Sequence, residues 1–302
     1  MSKSKLGFST VSNKTKNIVA SSNLKLKMVR LFVRQKCGMV LFFGWWGSLK
    51  HVGIEFLSDH VVAHALFDDD DSREYDFFRN WSSNNFRDYL EHILLVTSSS
   101  KQIDEVIFLS RDIPVSFAYS NLKRIDIKKI QIATFCTHQY SRQILSRFLE
   151  VDSFILPHNP YETVTGSHGF LMRNLNDFRL DVYNNAFKFT LNDLLVSNSK
   201  NIVISWSGWT EKNVNRFLKL WIKGSNPNLK SVDIWFPREH LINQDIVLEG
   251  IVTHELGRRH FSYHPEEHRY GIKRKDGPLA ALTIQSTHIN IPHIQLDVDP
   301  DL

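Results

Sequence analysis

A strand–helix–strand pattern between residues 201 and 236 constrains the fold of this chain more than any other feature. The apolar run at 201–206 predicts a strand, and Thr210 suits the start of a helix because its hydroxyl can accept a hydrogen bond from a free backbone amide. Thr190 can likewise cap a short helix that runs to residue 196. The apolar residues that follow share one helix face through their i, i+3, i+4, i+7 spacing: Val214, Phe217, Leu218 and Trp221. A second β-prone run at 229–236 follows, which favours an α/β fold.

Other parts of the chain extend this pattern or depart from it. Between 85 and 182, segments with helical spacing alternate with β-prone runs, one of which spans 122–132. Residues 28–66 instead contain four β-prone runs separated by turn residues. We therefore predict an α/β fold of mixed strands and helices, with an antiparallel α+β meander near the N-terminus. Residues 121–127 and 228–234 share Asn-Leu-Lys and Asp-Ile, an internal echo that suggests leucine-rich-repeat-like stacking.

Composition narrows the functional classes. The two cysteines, Cys37 and Cys136, are too few for a disulfide framework and favour an intracellular protein of the cytoplasm or nucleus. No apolar run approaches the roughly 20 residues of a membrane helix, so we expect no membrane association. The first 36 residues hold nine of the 37 basic residues and no acidic ones, which leaves 28 basic against 32 acidic residues in the remainder. This basic segment lacks an aromatic-interleaved motif, which disfavours nucleic-acid binding.

Motifs for catalysis or metal binding are weak. His254-Glu255 begins like a zinc-peptidase helix, but Arg258 occupies the position of the second histidine. Ser167 and His168 are adjacent in a glycine-containing segment that lacks the G-x-S-x-G pattern of a nucleophile elbow. We predict no catalytic residues, no metal ligands and no cofactor, and a metal-dependent hydrolase remains only a remote alternative.

Four tryptophans are the best candidates for binding another protein. Trp45, Trp46, Trp206 and Trp209 stand in or next to predicted turns, where aromatic side chains often form interface hot spots. Tryptophans at such places also commonly fill the core or cover the end of a sheet. The sequence alone leaves both roles open.

Two C-terminal segments resemble a known family. Residues 271–284 form a β-prone, basic hairpin around Asp276-Gly277, and residues 190–236 contain an ordered set of strand, helix and Asn-Pro-Asn-Leu-Lys blocks. Together they resemble the type-two F-box-associated domain of F-box proteins. The resemblance covers residues 28–302 as one domain and is best from 178 to 298. It implies a protein that recruits other proteins and is not itself an enzyme.

The N-terminal residues resemble the later part of an F-box. The resemblance rests on residues 8–19, so residues 1–27 are interpreted as a partial F-box remnant. It implies that Phe8, Val11, Ile18 and Val19 are what remains of the surface that docks a Skp-type adaptor and, through it, a cullin. The Pro- and Leu-rich part that opens an F-box does not precede Phe8 in this sequence.

The resemblance implies two related functions. The first is a substrate-recognition subunit of an SCF-type ubiquitin ligase, which binds an unidentified target protein. The alternative is a stand-alone protein-binding module that has lost adaptor docking. Upstream sequence that completes the F-box would favour the first.

Overall fold

The computed structural model describes residues 26–33, 37–45, 48–56, 61–66, 73–78, 86–97, 102–109, 113–161, 169–181, 189–205, 208–261, 264–285 and 291–299. Packing divides the chain into two compact units, Met1–Val151 and Asp152–Leu302. The sequence predicted one body from residue 28 onward, and the interpretation of residues 1–27 as an F-box remnant stays a prediction.

The first unit begins with an antiparallel meander, as its four β-prone runs predicted. Five consecutive strands pair in order: β1 (Leu26–Val33), β2 (Cys37–Trp45), β3 (Ser48–Phe56), β4 (Val61–Leu66) and β5 (Arg73–Phe78). The other edge of β1 pairs in parallel with β6 (Gln102–Phe108), which pairs in parallel with β7 (Asp126–Ile132). The meander therefore continues into a parallel sheet.

Three helices of the first unit accompany these strands: α1 (Phe86–Thr97), α2 (Val115–Leu122) and α3 (His138–Arg147). The sequence pattern assigned 122–132 to one β-like run, whereas Leu122 ends α2 and the strand begins only at Asp126. Helix α2 was not predicted. It starts directly after Pro114, whose fixed φ and missing N–H suit a helix start.

A buried carboxylate lies across the parallel strands of the first unit. Glu105 on β6 is 4 % exposed and stands in register with Arg30 on β1 and Lys129 on β7. Its oxygens lie 2.7 Å from Arg30 Nε and 2.9 Å from Lys129 Nζ. Because a buried charge without a partner is costly, these two cations compensate the burial of Glu105.

The second unit is built from stacked parallel strands followed by antiparallel ones. Its strand order is β12-β13-β14-β15-β11-β10-β9-β8. Strands β8 (Ser153–Leu156), β9 (Asp177–Asp181), β10 (Asn201–Ser205) and β11 (Ser231–Trp235) are parallel. The antiparallel strands are β12 (His254–Phe261), β13 (His264–Lys273), β14 (Leu279–Gln285) and β15 (His293–Asp299). The mixture confirms the predicted α/β class.

Paired polar residues mark the repeat in the parallel part. Ser153 pairs with Asp177, which pairs with Asn201, and these partners are 24 residues apart in both cases. Asn201 then pairs with Ser231, 30 residues later. Parallel strands that follow one another at such spacings are the arrangement of stacked repeats. The two segments of the internal echo do not occupy equivalent places, because Leu122 ends α2 whereas Leu229 precedes the strand that starts at Ser231.

The described part of the second unit has three helices of five or more residues, and the sequence predicted where the first two begin. They are α4 (Leu191–Val196), α5 (Glu211–Ile222) and α6 (Gln244–Leu248). Thr190 and Thr210 both form reciprocal capping boxes, with Asp193 and Asn213 as partners. The predicted stripe of α5 is buried, and Trp221 within it is 0 % exposed beneath the guanidinium of Arg274, 5.6 Å from the ring centre.

The hairpin predicted around Asp276-Gly277 joins β13 to β14. Lys273 pairs with Leu279, and the backbone N–H of Arg274 donates to Pro278 O at 2.9 Å. Gly277 has φ 120°, a conformation that side chains disfavour, so glycine suits this position.

We predict that Asn226→Ala lowers the free energy of unfolding by about 3 kcal/mol, because it removes two buried hydrogen bonds. The Asn226 Nδ2 group donates to Leu194 O at 2.8 Å and Ser197 O at 3.0 Å, closing the end of α4. Asn226 also has φ 50°, which alanine adopts less readily than asparagine. Urea denaturation followed by circular dichroism measures the change.

Asn228→Ala is the matched control. Asn228 is exposed and donates only to the Asn198 side chain among the described partners, so its loss should cost less than about 0.5 kcal/mol. Equal effects of the two substitutions would contradict the structural role given to Asn226.

Candidate functional site

On β9, β10, β11 and β15 of the second unit, one face of the sheet carries mostly polar side chains that are at least partly exposed, while the other face is apolar and buried. Burial alternates along β9, β11 and β15, and residues such as Phe178, Val232 and Ile294 are at most 3 % exposed. The intervening positions are exposed or half-buried because successive side chains of a strand point to opposite faces. We call these positions the open face: alternate residues of β9, β10, β11 and β15, beginning at Asp177, Asn201, Ser231 and His293.

The centre of the open face is an aromatic pair beside a carboxylate. Trp235 on β11 is in register with His293 on β15, and their rings stack 4.6 Å apart at an interplanar angle of 20°. Trp235 Nε1 donates a hydrogen bond to Asp233 Oδ2 at 2.7 Å. The indole is thereby held from both its face and its edge, so it is ordered before any partner arrives.

The surroundings of Asp233 disfavour the charged form of its carboxyl. Desolvation by burial raises the pKa of its carboxyl, and the charge of Asp297 raises it further. The charges of His293 and Arg179 and the hydrogen bond from Trp235 oppose that shift without cancelling it. Asp233 Oδ1 is buried and accepts no hydrogen bond from the described residues. A further hydrogen-bond donor would therefore stabilise the charged form of this carboxyl.

Polar contacts fix the residues that flank this centre. Arg179 Nε lies 2.9 Å from both oxygens of Asp181, and Ser205 Oγ donates to Asp181 Oδ1 at 3.0 Å. Asp177 accepts hydrogen bonds from Ser153 Oγ at 2.9 Å and Asn201 Nδ2 at 3.0 Å. The contact of Arg179 with Asp181 lies within β9, whereas the others link neighbouring strands, and together they order the side chains of the face before a partner binds.

Of the four tryptophans that the sequence singled out for binding, the structure describes the side chain of one. Trp209 is 6 % exposed, and its Nε1–H donates to Phe189 O, so its indole packs in the interior and is not available to a partner. Trp45 lies in β2, but its side chain is outside the described part, and Trp46 and Trp206 are outside the described residues altogether. The role of these three in binding stays a prediction.

The predicted adaptor-docking residues also lie outside the described part of the chain. Phe8, Val11, Ile18 and Val19 precede Leu26, where the described residues begin. Their role stays a prediction.

Sequence reasoning missed the two central residues of the open face. Trp235 had a detectable signal, since Val232 and Ile234 alternate with Ser231, Asp233 and Trp235, which places the indole on the polar side of the strand. His293 had none. Its position beside Trp235 follows from a register between strands that are far apart in the chain.

The described residues offer little for catalysis. Burial raises the pKa of the Cys136 thiol, whose sulfur lies 3.6 Å from Phe108 O, so this cysteine is a poor nucleophile. Within the described ranges, no three His, Cys, Asp or Glu side chains converge in a way that could hold a metal ion. Nor does any helix in those ranges combine the length and apolarity that crossing a membrane requires.

Comparison with known proteins identifies the segment that contributes most of this face. Residues 167–234 match the family model described as F-box associated. An F-box associated domain-containing protein of Caenorhabditis elegans, sdz-33, is 39% identical over 69 residues, which are 23% of this chain and 22% of the relative. The alignment thus spans about a fifth of the relative's length. The comparison with solved structures found no match.

The match confirms the F-box-associated resemblance recognised in the sequence. It includes β9, β10, α4, α5 and β11 as far as Ile234. The closing hairpin and the N-terminal residues 1–27 lie outside the matched segment, so the interpretation of an F-box remnant is not tested by it.

We predict that Asp233→Asn stabilises the protein at neutral pH. A carboxyl with a raised folded pKa binds its proton more tightly in the folded than in the unfolded state. Its contribution to stability is therefore present at low pH and is lost as pH rises from the ordinary value of 3.8 through the folded value. Asparagine keeps an acceptor for Trp235 Nε1 without the buried charge.

Thermal unfolding across a pH series measures this effect. Asp233→Asn should unfold at a higher temperature than the parent near pH 7, and the difference should vanish under acidic conditions. Glu239→Gln, an exposed residue outside the open face, is the control for loss of one charge. A pH-independent difference, or none, would contradict the electrostatic account.

Proposed function

We propose that this protein is a non-enzymatic substrate-recognition subunit of the kind that serves SCF-type ubiquitin ligases, and that the open face binds its target. The observation that carries the proposal is the position of the F-box associated segment. Residues 167–234 contribute β9, β10 and most of β11, which are three of the four strands that form the open face.

The chemistry of the open face suits a protein partner. A half-buried tryptophan gives a large contact area with few rotatable bonds, and interface hot spots are enriched in this residue. Aspartate, asparagine and serine side chains around it supply hydrogen-bonding groups that are already oriented by cross-strand contacts. Specific recognition draws on this combination of an aromatic anchor and fixed polar groups.

In this proposal, the N-terminal residues link the protein to the ubiquitin ligase. In the proposal, Phe8, Val11, Ile18 and Val19 contact a Skp-type adaptor, which links the protein to a cullin inside the cell, in the cytoplasm or nucleus. Target binding and adaptor binding then depend on different parts of the chain. A protein that keeps only the first activity would be a stand-alone binding module.

We predict that the two activities separate by mutation. Replacing Phe8, Val11, Ile18 and Val19 together with alanine should abolish co-elution with a purified Skp-type adaptor on size exclusion, with the circular dichroism spectrum unchanged. Trp235→Ala should leave that co-elution intact. If the parent chain does not co-elute with the adaptor, the stand-alone module is the supported version.

Proximity labelling in cells, with the labelling enzyme fused to the full chain, measures target binding. Trp235→Ala should reduce labelling of specific neighbours at least about fivefold, the effect of losing a hot spot worth more than 1 kcal/mol. Phe135→Ala is the matched control, because Phe135 is an aromatic residue of the first unit that is 59 % exposed. Equal labelling by Trp235→Ala and the parent would contradict a target-binding role for the open face.

A further inference from the structure

The open face carries a charge opposite to that of the whole chain. Four aspartates whose side chains are described lie on it, Asp177, Asp181, Asp233 and Asp297, whereas the full sequence has a net charge of +5. Arg179 is the cation among them, and it is bound to Asp181. Further cations lie at the margins of the face: Arg269 on β13, and Lys200 and Lys230, which directly precede β10 and β11.

The negative charge concentrates beside the stacked rings. Asp233 on β11 pairs with Gln295 on β15. Asp297 on β15 pairs with Ser231 on β11, and this is the adjacent pair on the same face. Asp297 Oδ1 accepts a hydrogen bond from Gln295 Nε2 at 3.0 Å, a neutral donor that leaves its charge uncompensated. Asp233 receives one neutral donor, from Trp235, and its other oxygen accepts no hydrogen bond from the described residues.

This arrangement combines the two groups that attract an organic cation. The plane of an indole draws a guanidinium or ammonium group to its face, and a nearby carboxylate supplies a charged hydrogen-bond acceptor. One face of Trp235 is occupied by His293, so a ligand would approach the remaining accessible surface of the indole and its Asp233 edge. An acidic ligand would instead meet two carboxylates.

We propose that the open face binds an extended basic segment of the partner protein, with an arginine or lysine side chain beside Trp235 that reaches Asp233 and Asp297. This inference rests on the proposed function, since it names the chemistry of the target that the open face would bind. Polar side chains at alternate positions of neighbouring strands suit an extended chain lying on the sheet, because its own side chains also alternate.

The titration of Asp233 supports this choice of ligand. Its carboxyl has a raised pKa because of burial, and a bound cation would favour the charged form and so lower that pKa. Basic-segment binding should therefore weaken as pH falls through the raised pKa of Asp233. The other groups that act on it are Asp297, Arg179 and His293, and a protonated imidazole would also repel a cation.

Synthetic peptides test the proposal on the full chain. The probe is a fluorescein-labelled peptide of alternating threonine and valine with arginine at three alternate positions. Matched peptides replace the arginines with citrulline, which keeps the shape without the charge, or with glutamate. Fluorescence anisotropy gives the affinity, and the indole N–H resonance of Trp235, assigned with Trp235→Phe, reports contact at the site.

We expect the arginine peptide to bind at least about tenfold more tightly than the citrulline peptide, and to shift the Trp235 resonance. Asp233→Asn and Trp235→Ala should each weaken it at least about fivefold, whereas Glu239→Gln should not. Equal binding of the arginine and citrulline peptides, including no binding by either up to about 1 mM, would overturn the proposal. An unchanged affinity in Asp233→Asn would also overturn it.

The peptide result is distinguishable from failure of the proposed function. If Trp235→Ala abolishes neighbour labelling in cells while peptides show no preference for arginine, the open face binds a target of another chemistry. In that case the proposed function stands and the basic-segment inference falls. If Trp235→Ala changes neither measurement, both fall.

Discussion

The register of the parallel strands in the second unit is the constraint on which its other features depend. Because side chains alternate, a shift of one residue would turn Val232 and Ile234 outward and bury Asp233 and Trp235. Cross-strand contacts such as Ser153 with Asp177 and Asn201 with Ser231 fit only the observed register. The contacts that align the strands also position the residues of the open face. The strand register therefore determines both the core packing and the arrangement of the site.

Asp233 illustrates the energetic cost of such a site. A carboxylate that is partly buried beside Asp297 destabilises the folded protein at neutral pH, and the neighbouring donor Trp235 compensates only one of its oxygens. Folding alone would be served better by asparagine. The retained charge has a physical rationale if a cation from a partner completes the site, because the binding energy then includes relief of the strain.

Local signals in the sequence predicted much of the second unit. Thr190 and Thr210 cap helices as expected, because capping depends on residues within one turn. Helix α2 was missed because its eight residues lack strong apolar periodicity, although Pro114 before them suits a helix start. For Trp209 the sequence left open a role in the core and an exposed role in binding, and tertiary packing buries its indole. The pairing of Trp235 with His293 needed the register of β11 and β15, which no local pattern encodes.

Site-specific photocrosslinking tests whether the open face is the surface that binds the target. A photoreactive amino acid at Val203, on the open face in β10, leaves Trp235, Asp233 and His293 unchanged. The same amino acid at Phe135, which is exposed in the first unit, is the comparison. If the open face binds the target, position 203 should crosslink to a discrete protein in cells, and this product should be lost when Trp235→Ala is added. The same crosslinked proteins from both positions, unaffected by Trp235→Ala, would contradict the assignment of the open face as the binding surface.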